Sequence, residues 1–457
     1  MPLGLLAYRG LTRAAGLVLP RLWRPGPGDA AAADDPWRGG FRGSSEETGR
    51  AAGSLWIHAS SMGEVSAARG WMDEILARGY RPPFLFTTRT RTGLARARET
   101  WGDRVAARIA PHDLPQLVEA TLADASPWRI DIIETELWPN LLVEAHSREI
   151  PVVVVGATVS ERTTGRLLHA GVAGKALFGS GVFVLAQSDR HAERFRRLGV
   201  PKARVRVIGD LKAAAEGSAS PLGPRGVARA PFSSRPALVF GSLRPGEERA
   251  ARILAGVLEA HRARGSASGG GAGARGAFAG RARSLLVVAP RHESGEGPLR
   301  AGFERAGFEV AIRHEDTRGE SEVGRWIESV AARPGRRVAL LATRGELADA
   351  YEHAWSVVVG GTFAPYGGHN VWEPAARGCP VLVGPHHGDV SAAVEALRAE
   401  GGGVAVADER HLERTVEGWL ADMDLELRGL AAARAANAAA GAPGRGMEAV
   451  EAWGLAP

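Results

Sequence analysis

Strand-like apolar runs alternate with helix-like segments along most of this chain, and this alternation constrains the fold more than any other feature. It predicts an α/β architecture with parallel, doubly wound sheets, because parallel strands need crossover connections and helices supply them. At 457 residues the chain also exceeds the usual size of one domain. We therefore expect two Rossmann-like domains that face each other across a cleft.

The predicted strands fall into two series, separated by a polar linker rich in Pro and Ala at 216–236. The strands of the first series are expected at 55–59, 84–87, 130–133, 152–155, 182–186 and 205–208. Those of the second series are expected at 237–240, 285–288, 338–341, 357–359 and 381–383. The two predicted domains accordingly span 54–215 and 237–424.

Three segments fall outside this pattern. Residues 25–53 are rich in Gly, Pro, Ala and Asp and are predicted to be a linker. Residues 262–283 contain almost only Gly, Ala, Arg and Ser, which predicts a disordered insertion. Residues 425–457 are predicted to be a C-terminal helix, over 425–440, followed by a tail.

Charge and cysteine content narrow the class of partner. The formal net charge is +6 and the sequence pI is about 10.0, which favours anionic partners. No nucleic-acid-binding module is recognisable in the sequence, so we expect no nucleic acid. Cys379 is the single cysteine, which excludes a disulfide framework and any zinc site built on several cysteines.

The N-terminal residues 1–24 mix apolar side chains with four arginines. A signal peptide would carry less charge along its apolar part, and no run reaches the roughly 18 apolar residues of a spanning helix. The pattern favours a basic amphipathic helix lying on a membrane surface. A frayed, solvated helix is the alternative.

Two glycine pairs, Gly360-Gly361 and Gly367-Gly368, lie between a predicted strand and an Ala-rich helical stretch. This loop follows the carboxyl end of a parallel strand, where open α/β sheets bind ligands. Glycines let a ligand approach the backbone, and a helix start offers free N–H groups to an anion. We expect Pro374 at the first helical position and Glu373 as the cap, with its carboxylate available to ribose hydroxyls. The loop predicts a site for a phosphate-bearing small molecule.

Three polar loops of the first domain follow predicted strands. Glu64 lies at a helix start, which favours an ionised carboxylate able to accept a proton from a hydroxyl. The alternative is a first-turn glutamate that only complements the helix dipole. Arg89 and Arg91 suit phosphate contacts or are solvated. Glu136 lies two residues after another carboxylate, Glu134, so that one of the two faces the cleft.

Further candidate residues follow later strands. Lys212 can meet a carboxylate or a phosphate, although alone such a residue is usually a surface lysine. Arg291 and Arg344 suit bidentate phosphate recognition. No histidine or carboxylate spacing indicates a metal site, and we expect no cofactor. The dinucleotide fingerprint Gly-x-Gly-x-x-Gly is missing after the first strand of either domain, which argues against an oxidoreductase.

Taken in order, these loops resemble the Kdo transferase family, GT-B glycosyltransferases that add 3-deoxy-manno-octulosonate (Kdo) to lipid A precursor. The resemblance covers roughly residues 54–390, and it rests on the order and spacing of pieces that are individually weak. The matching pieces are 56–65, 87–93, 134–141, 160–162, 186–188, 209–212, 245–248, 290–292, 345–347, 360–374 and 384–386.

The resemblance implies a role for each candidate residue. Glu64 matches the general base, and Glu136 and Lys212 match residues that support the transition state. The positions that match CMP binding are Pro290, Arg291, Arg344, Gly345, Glu346, Asn370, Val371, Trp372 and Glu373. The positions assigned to the acceptor are Ser61, Gly63, Thr88, Arg89 and Arg91.

The implied reaction is inverting, metal-free transfer of Kdo from CMP-Kdo to a hydroxyl of a lipid A precursor. Residues 1–24 look like the family's attachment to an anionic membrane surface, which implies a peripheral protein on the cytoplasmic face of the inner membrane.

The sequence also departs from the family pattern. Arg244 stands where the family usually has His, Met62 replaces a small apolar residue, Asp210 replaces Asn, and 387–390 replace an aromatic-Asn ending. Two alternatives therefore stay open. One is a GT-B transferase that uses another nucleotide sugar, and the other is a catalytically silent lipid- or anion-binding protein.

Overall fold

A computed structural model describes residues 3–22, 52–136, 138–169, 177–179, 181–217, 232–267, 283–317 and 322–456. Within them the chain forms two compact units. Unit 1 is Met1–Ala215 together with Ala439–Pro457, and unit 2 is Glu216–Ala438. Each unit is built on a seven-stranded parallel sheet, which confirms the predicted α/β architecture.

The sheet of unit 1 has the strand order β3-β2-β1-β4-β5-β6-β7. Its inner strands are continuous apolar runs, because helices cover both faces of a parallel sheet. All six residues of Val152–Ala157, for example, are buried. The strands are β1 Leu55–His58, β2 Phe84–Thr88, β3 Ala106–Ile109, β4 Arg129–Ile133, β5 Val152–Ala157, β6 Val182–Ala186 and β7 Val205–Val207.

The helices of unit 1 connect these strands, except that the first precedes β1 and the eighth follows β7. Several begin at residues that satisfy their free N–H groups; Ser61 accepts from Glu64 N and Thr90 from Gly93 N. The helices are α1 Leu3–Leu22, α2 Met62–Ala77, α3 Arg91–Trp101, α4 Pro115–Ala125, α5 Pro139–Ser147, α6 Glu161–His169, α7 Asp189–Arg197 and α8 Leu211–Gly217.

Unit 2 repeats the architecture with the strand order β10-β11-β9-β8-β12-β13-β14. The strands are β8 Ala237–Leu243, β9 Leu285–Pro290, β10 Glu309–Arg313, β11 Arg337–Leu341, β12 Ala354–Val359, β13 Val381–Val383 and β14 Gly403–Ala405. The helices are α9 Glu248–Ala267, α10 Glu296–Arg305, α11 Val323–Ala332, α12 Leu347–Glu352, α13 Trp372–Ala376, α14 Ser391–Ala399, α15 Glu409–Ala421 and α16 Leu425–Ala440.

The predicted irregular segments fall largely on residues that the structure does not describe. Residues 23–51 and 218–231, which hold most of the two predicted linkers, lie outside the described residues. So do residues 268–282 of the predicted insertion. The first residues of that insertion are helical instead, because α9 continues to Ala267.

The chain returns to unit 1 through a last helix, α17 Ala442–Ala452, which packs against α2. Gly446 permits this contact, since an added Cβ would lie 2.7 Å from the ring of Trp71. Arg78, the C-cap of α2, is paired with Glu451 at 2.7 Å. Residues 439–457 are therefore part of the structure that carries the N-terminal strands.

A fully buried ion pair lies in the core of unit 1. Arg129 and Asp131 of β4 are each 0% exposed, and two 2.8 Å hydrogen bonds join the guanidinium to the carboxylate. The indole N–H of Trp71 also donates to Asp131, at 2.8 Å, and Arg129 donates to the carbonyl of Leu455. The pair thus ties β4 to both α2 and the C-terminal segment.

Candidate active site

The polar residues of unit 1 converge where its strand order reverses. Strands β1 and β4 are neighbours in the sheet, although two other strands lie between them in sequence. The loop after β1 leads to Glu64, and β4 is followed by Glu134 and Glu136. Such reversal points are the usual ligand sites of open parallel sheets. The structure therefore brings together the carboxylates that sequence reasoning selected separately.

Glu64 lies in the first turn of α2 and is half-buried. Its carboxylate accepts hydrogen bonds from Ser60 N at 2.7 Å and from the Ser61 hydroxyl at 3.1 Å. Burial, together with the negative charges of Glu134 and Glu136, outweighs these hydrogen bonds and raises the pKa of Glu64 from 4.5 to about 7. A glutamate that only complemented the helix dipole would have a lowered pKa, so the structure weakens that alternative.

The environment of Glu136 lowers the pKa of its carboxyl group. Burial alone would raise its pKa, but hydrogen bonds from His58, Ser60 and Trp138 lower it to about 2. His58 Nε2 lies 3.2 Å and Trp138 Nε1 2.8 Å from the same carboxylate oxygen. The other oxygen is 3.6 Å from the guanidinium of Arg89. Adjacent carboxylates with separated pKa values are the usual arrangement for distinct acid–base roles.

Lys212 pairs with Glu134 rather than with Glu136. Its ammonium group lies 2.5 Å from a carboxylate oxygen of Glu134. Burial would lower the pKa of Lys212, but the charges of Glu134, Asp210 and Glu64 raise it overall, so the lysine stays charged. Glu134 also has a positive φ of 60°, a strained conformation that is often found at functional sites. The sequence left open which of Glu134 and Glu136 faces the cleft, and only the family resemblance selected Glu136.

The five residues assigned to the acceptor lie around these carboxylates in two different ways. Ser61 caps α2, and the hydroxyl of the fully buried Thr88 donates to Ser60 O at 3.0 Å. In this structure these two side chains hold the loop before Glu64. Gly63, Arg89 and Arg91 are exposed. Direct contact with an acceptor stays a prediction for all five.

A cavity of about 240 Å³ within unit 1 is lined by two residues that contact Glu136, Arg89 and Trp138. Its polar wall contains Tyr8 of α1, Arg89, His112 and Asp113. Its apolar wall contains Trp138, together with Ile109, Ala110, Pro111 and Pro139. Apolar surface with a few polar groups is the usual lining of small-molecule pockets.

In unit 2 the corresponding reversal lies between β8 and β12, and a buried glutamate joins the two loops that follow them. Glu247 is 0% exposed. Its carboxylate accepts four backbone N–H groups, each at 2.8 Å, from Arg244, Gly361, Thr362 and Phe363. Sequence reasoning did not select Glu247, although it lies in the matching piece 245–248.

The structure corrects one prediction for the glycine loop and shows what holds the first part of that loop. The N–H groups of Gly361–Phe363 are bound by Glu247. Gly360 is required by packing, since an added Cβ would lie 2.3 Å from Ser242 O. The helix also begins at Trp372 rather than at Pro374, because Asn370 accepts Trp372 N at 3.0 Å and so starts the turn earlier. Glu373 is thus a first-turn residue and not the cap.

Cationic and imidazole side chains collect around the same loops. The guanidinium of Arg244 lies 4.3 Å from the ring centre of Tyr366 and 2.5 Å from His292 Nε2. Burial, with the positive charges of Arg291, Arg244 and His292, lowers the pKa of His369 to about 4. Burial is the larger cause, and the nearby arginine charges add to it, as they would near a site for an anion.

The remaining predicted CMP-binding residues differ in accessibility. Glu346 is nearly buried, and its carboxylate binds Arg313 through two 2.8 Å hydrogen bonds and the Thr343 hydroxyl at 2.6 Å. Val371 and Trp372 are buried, whereas Arg291, Arg344 and Gly345 are exposed and Pro290, Asn370 and Glu373 are half-buried. Their roles in ligand binding stay predictions.

The N-terminal helix α1 docks on unit 1 through one buried leucine, Leu5, and through polar side chains. Arg9 pairs with Glu144 of α5, Arg13 lies 3.6 Å from Glu119 of α4, and Tyr8 donates to Asp113 at 3.2 Å. Leu6, Leu11 and Leu17 are exposed instead, by 46%, 73% and 56%. Among the described residues, no helix has the length and apolar character needed to cross a membrane.

The two parallel sheets, each with a candidate site at its strand-order reversal, define the GT-B fold. Solved structures show the same fold. UDP-GlcNAc 2-epimerase from Neisseria meningitidis aligns with a TM-score of 0.56 at 11% identity, covering 87% of this chain and 100% of its own. The glycosyltransferase of kitacinnamycin aligns with a TM-score of 0.50 at 15% identity, covering 89% of this chain and 100% of its own.

Sequence comparison identifies the particular family. The family profile for 3-deoxy-D-manno-octulosonic-acid transferase (kdotransferase) matches residues 37–215. The 3-deoxy-D-manno-octulosonic acid transferase of Bordetella pertussis is 31% identical over 411 residues, which are 88% of each chain. That of Haemophilus influenzae is 27% identical over 333 residues, 73% of this chain and 70% of its own. The chain belongs to the 3-deoxy-D-manno-octulosonic acid transferase family.

Proposed function

We propose that this protein transfers Kdo from CMP-Kdo to a hydroxyl of a phosphorylated lipid A precursor, with inversion at the anomeric carbon. Membership of the Kdo transferase family supports the reaction class. The observation that carries the mechanism is the half-buried Glu64, whose pKa is raised to about 7 beside the ionised Glu136. A base is most effective when its pKa lies near the working pH.

The proposed reaction is a single displacement. The acceptor hydroxyl gives its proton to Glu64, and its oxygen forms a bond to the anomeric carbon of Kdo. The bond from that carbon to the phosphate oxygen breaks, and CMP leaves with the bonding electron pair. Glu136 can stabilise positive charge that develops on the sugar, and the charged Lys212 can offset negative charge of the substrates. Because the two carboxylates differ in pKa, one can accept a proton while the other stays ionised.

The cationic cluster of unit 2 supports the assignment of the donor. CMP-Kdo carries a phosphodiester and a sugar carboxylate, and both are anions. Burial and the positive charges of Arg291 and Arg244 depress the pKa of His369, and arginine suits recognition of both anionic groups. A bound donor would compensate this charge without a metal ion.

A transfer assay tests the proposal. Purified protein is incubated with a tetraacylated lipid A precursor and either CMP-Kdo or a UDP-sugar, and the lipid product is identified by mass spectrometry. We expect a mass increase of whole Kdo units with CMP-Kdo alone. A product formed only from a UDP-sugar would identify another GT-B transferase, and no product from any donor would favour a silent binding protein.

The pH dependence of the reaction follows from Glu64. The base must be ionised, so kcat/KM should fall about tenfold for each pH unit below 7 and become constant above it. The folded state also binds a proton that the unfolded chain releases between pH 4.5 and about 7. Ionisation of Glu64 therefore lowers stability as pH rises through this range. A pH–rate profile checks the rise of kcat/KM with pH, and Tm values from pH 5 to 8 check the fall in stability. A midpoint of the rate profile near pH 4.5 would contradict the raised pKa of Glu64.

Replacing Glu247 with glutamine is expected to weaken donor binding. Each carboxylate oxygen of Glu247 accepts two backbone N–H groups. Glutamine keeps one such oxygen, but its NH₂ group, a donor, would face the other two N–H groups and leave them unpaired. We expect the KM for CMP-Kdo to rise by about tenfold or more, because the loops that hold Arg244 and His369 separate.

Glu248→Gln is the matched control for this variant. Among the described hydrogen bonds, the carboxylate of Glu248 accepts one, from Gly246 N at 2.9 Å. Steady-state kinetics with varied CMP-Kdo compare the two variants. Equal KM values in both would show that Glu247 does not position the donor loops.

We also propose that α1 attaches the protein peripherally to the anionic cytoplasmic face of the inner membrane. Its exposed face carries Leu6, Leu11 and Leu17, while Arg9 and Arg13 bind the domain at the edge of that face. An apolar helix face of this kind can enter the boundary between headgroups and acyl chains.

Vesicle binding tests this attachment. In co-sedimentation with phosphatidylglycerol-containing vesicles, the double variant Leu6→Asp/Leu11→Asp should bind about tenfold more weakly than the unmodified protein. Leu427→Asp/Leu430→Asp, which changes two leucines of α16 that are 59% and 52% exposed, should bind normally. If vesicle binding falls equally in both double variants, the added negative charge and not the loss of leucines from α1 would explain the weaker binding.

A further inference from the structure

A chain of buried hydrogen bonds leads from the core of unit 1 to Glu136. Trp56 Nε1 donates to the Thr87 hydroxyl oxygen at 2.8 Å. That oxygen lies 2.9 Å from His58 Nδ1, and His58 Nε2 lies 3.2 Å from Glu136. Trp56, His58 and Thr87 are only 1%, 2% and 2% exposed.

The strand geometry explains how this chain forms. Trp56 and His58 are two residues apart on β1 and therefore point to the same face of the sheet. Thr87 is directly opposite His58 on the neighbouring parallel strand β2. The three side chains consequently form one row that ends beside the loop after β4.

The donor and acceptor chemistry of these groups determines which of them donates each hydrogen bond. An indole N–H can only donate, so the Thr87 oxygen accepts from Trp56, and the hydroxyl proton can point at His58 Nδ1. His58 Nε2 faces the ionised carboxylate, which can only accept, so a neutral ring carries its proton on Nε2 and accepts at Nδ1. The opposite tautomer would direct a lone pair at the negative Glu136.

We infer that Trp56 and Thr87 hold His58 as the neutral Nε2–H tautomer, and that His58 thereby positions the ionised Glu136 for the transfer reaction. His58 and Thr87 are positioning residues, because they act through Glu136. The ring of His58 also packs against Trp138, with centroids 4.7 Å apart, and Trp138 donates to the same carboxylate oxygen. Two donors from packed rings thus fix one oxygen, and the other is left facing Arg89.

This inference rests on the proposed function, since that function gives Glu136 its role. Matched substitutions of Thr87 separate hydrogen bonding from packing. Thr87→Val keeps the shape but removes the hydroxyl, and Thr87→Ser keeps the hydroxyl but removes a methyl group. We expect Thr87→Val to lower kcat by roughly tenfold to a hundredfold with little change in the KM for CMP-Kdo, whereas Thr87→Ser should stay near the activity of the unmodified protein.

The tautomer is measured directly. In protein labelled with ¹⁵N-histidine, the His58 signals are assigned by their loss in His58→Asn, and their shifts distinguish the two neutral tautomers from imidazolium. We expect the Nε2–H tautomer in the unmodified protein and in Thr87→Ser, and a mixture in Thr87→Val. An Nδ1–H tautomer or an imidazolium in the unmodified protein would overturn the inference, as would Thr87→Ser being the more impaired variant or both variants having normal kcat.

Failure of this inference is distinguishable from failure of the proposed function. If the unmodified protein transfers no Kdo from CMP-Kdo, the proposed function fails, and the NMR spectra still decide the tautomer. If Kdo is transferred but the Thr87→Val kcat is normal, the function stands and the positioning role of His58 is wrong.

Discussion

Glu64→Gln is expected to lower kcat by roughly a hundredfold to ten-thousandfold, because it removes the proton acceptor for the attacking hydroxyl. The fold should persist. Glutamine can still accept from Ser60 N, and its NH₂ group can donate to the Ser61 hydroxyl, so both hydrogen bonds of the present side chain are retained. Kdo transfer and Tm, both measured at pH 8, test the two parts of this prediction.

Whether Glu64→Gln raises or lowers Tm distinguishes a catalytic role of Glu64 from a structural one. Ionised Glu64 destabilises the folded state above its raised pKa, so the neutral glutamine should give an equal or higher Tm at pH 8. Glu409→Gln is the matched control, because Glu409 also lies in the first turn of a helix, α15. A large fall in Tm for Glu64→Gln, or a similar loss of activity in Glu409→Gln, would favour a structural role for Glu64.

Asp131→Leu is expected to destabilise unit 1 by about 3–5 kcal/mol, because it leaves the fully buried guanidinium of Arg129 without its counter-charge. It also removes the acceptor of the Trp71 indole N–H. Urea denaturation followed by tryptophan fluorescence measures the effect as a lower midpoint of the transition of unit 1.

A double variant separates the charge from the packing. Arg129→Met/Asp131→Leu removes both charges and should recover much of the lost stability, since well-packed apolar residues often replace a buried ion pair without cost. If the double variant is less stable than Asp131→Leu, the hydrogen bond from Arg129 to the Leu455 carbonyl would be the more important contribution.

The sequence predicted the inner strands well and the edge strands poorly. Runs such as 152–155 and 381–383 are apolar throughout because neighbours cover them on all sides. The strands that sequence reasoning missed are β3, β10 and β14, and each lies at an edge of its sheet. Edge strands tolerate polar and half-exposed residues, as in Glu309–Arg313. Their sequences therefore lack the apolar run on which the prediction depended.

The candidate site shows a similar division. Glu64 and Glu136 were predictable because each belongs to a local pattern, a polar residue directly after a strand. The pairing of Lys212 with Glu134, and three of the four hydrogen bonds of Glu247, join residues distant in sequence. Such contacts depend on the sheet order, which no local pattern contains. For His58, a polar residue within an otherwise apolar strand was the signal.

The packing of α17 on α2 has a consequence for biosynthesis. The helix that bears Glu64 is completed by residues 439–457, which a ribosome makes only after the whole of unit 2. During translation unit 2 can fold as soon as its own residues emerge, whereas the first-synthesised unit must wait with Trp71 and part of its interior uncovered. Order of synthesis and order of folding are thus expected to be reversed, and the earlier half of the nascent chain is the part in need of chaperone protection.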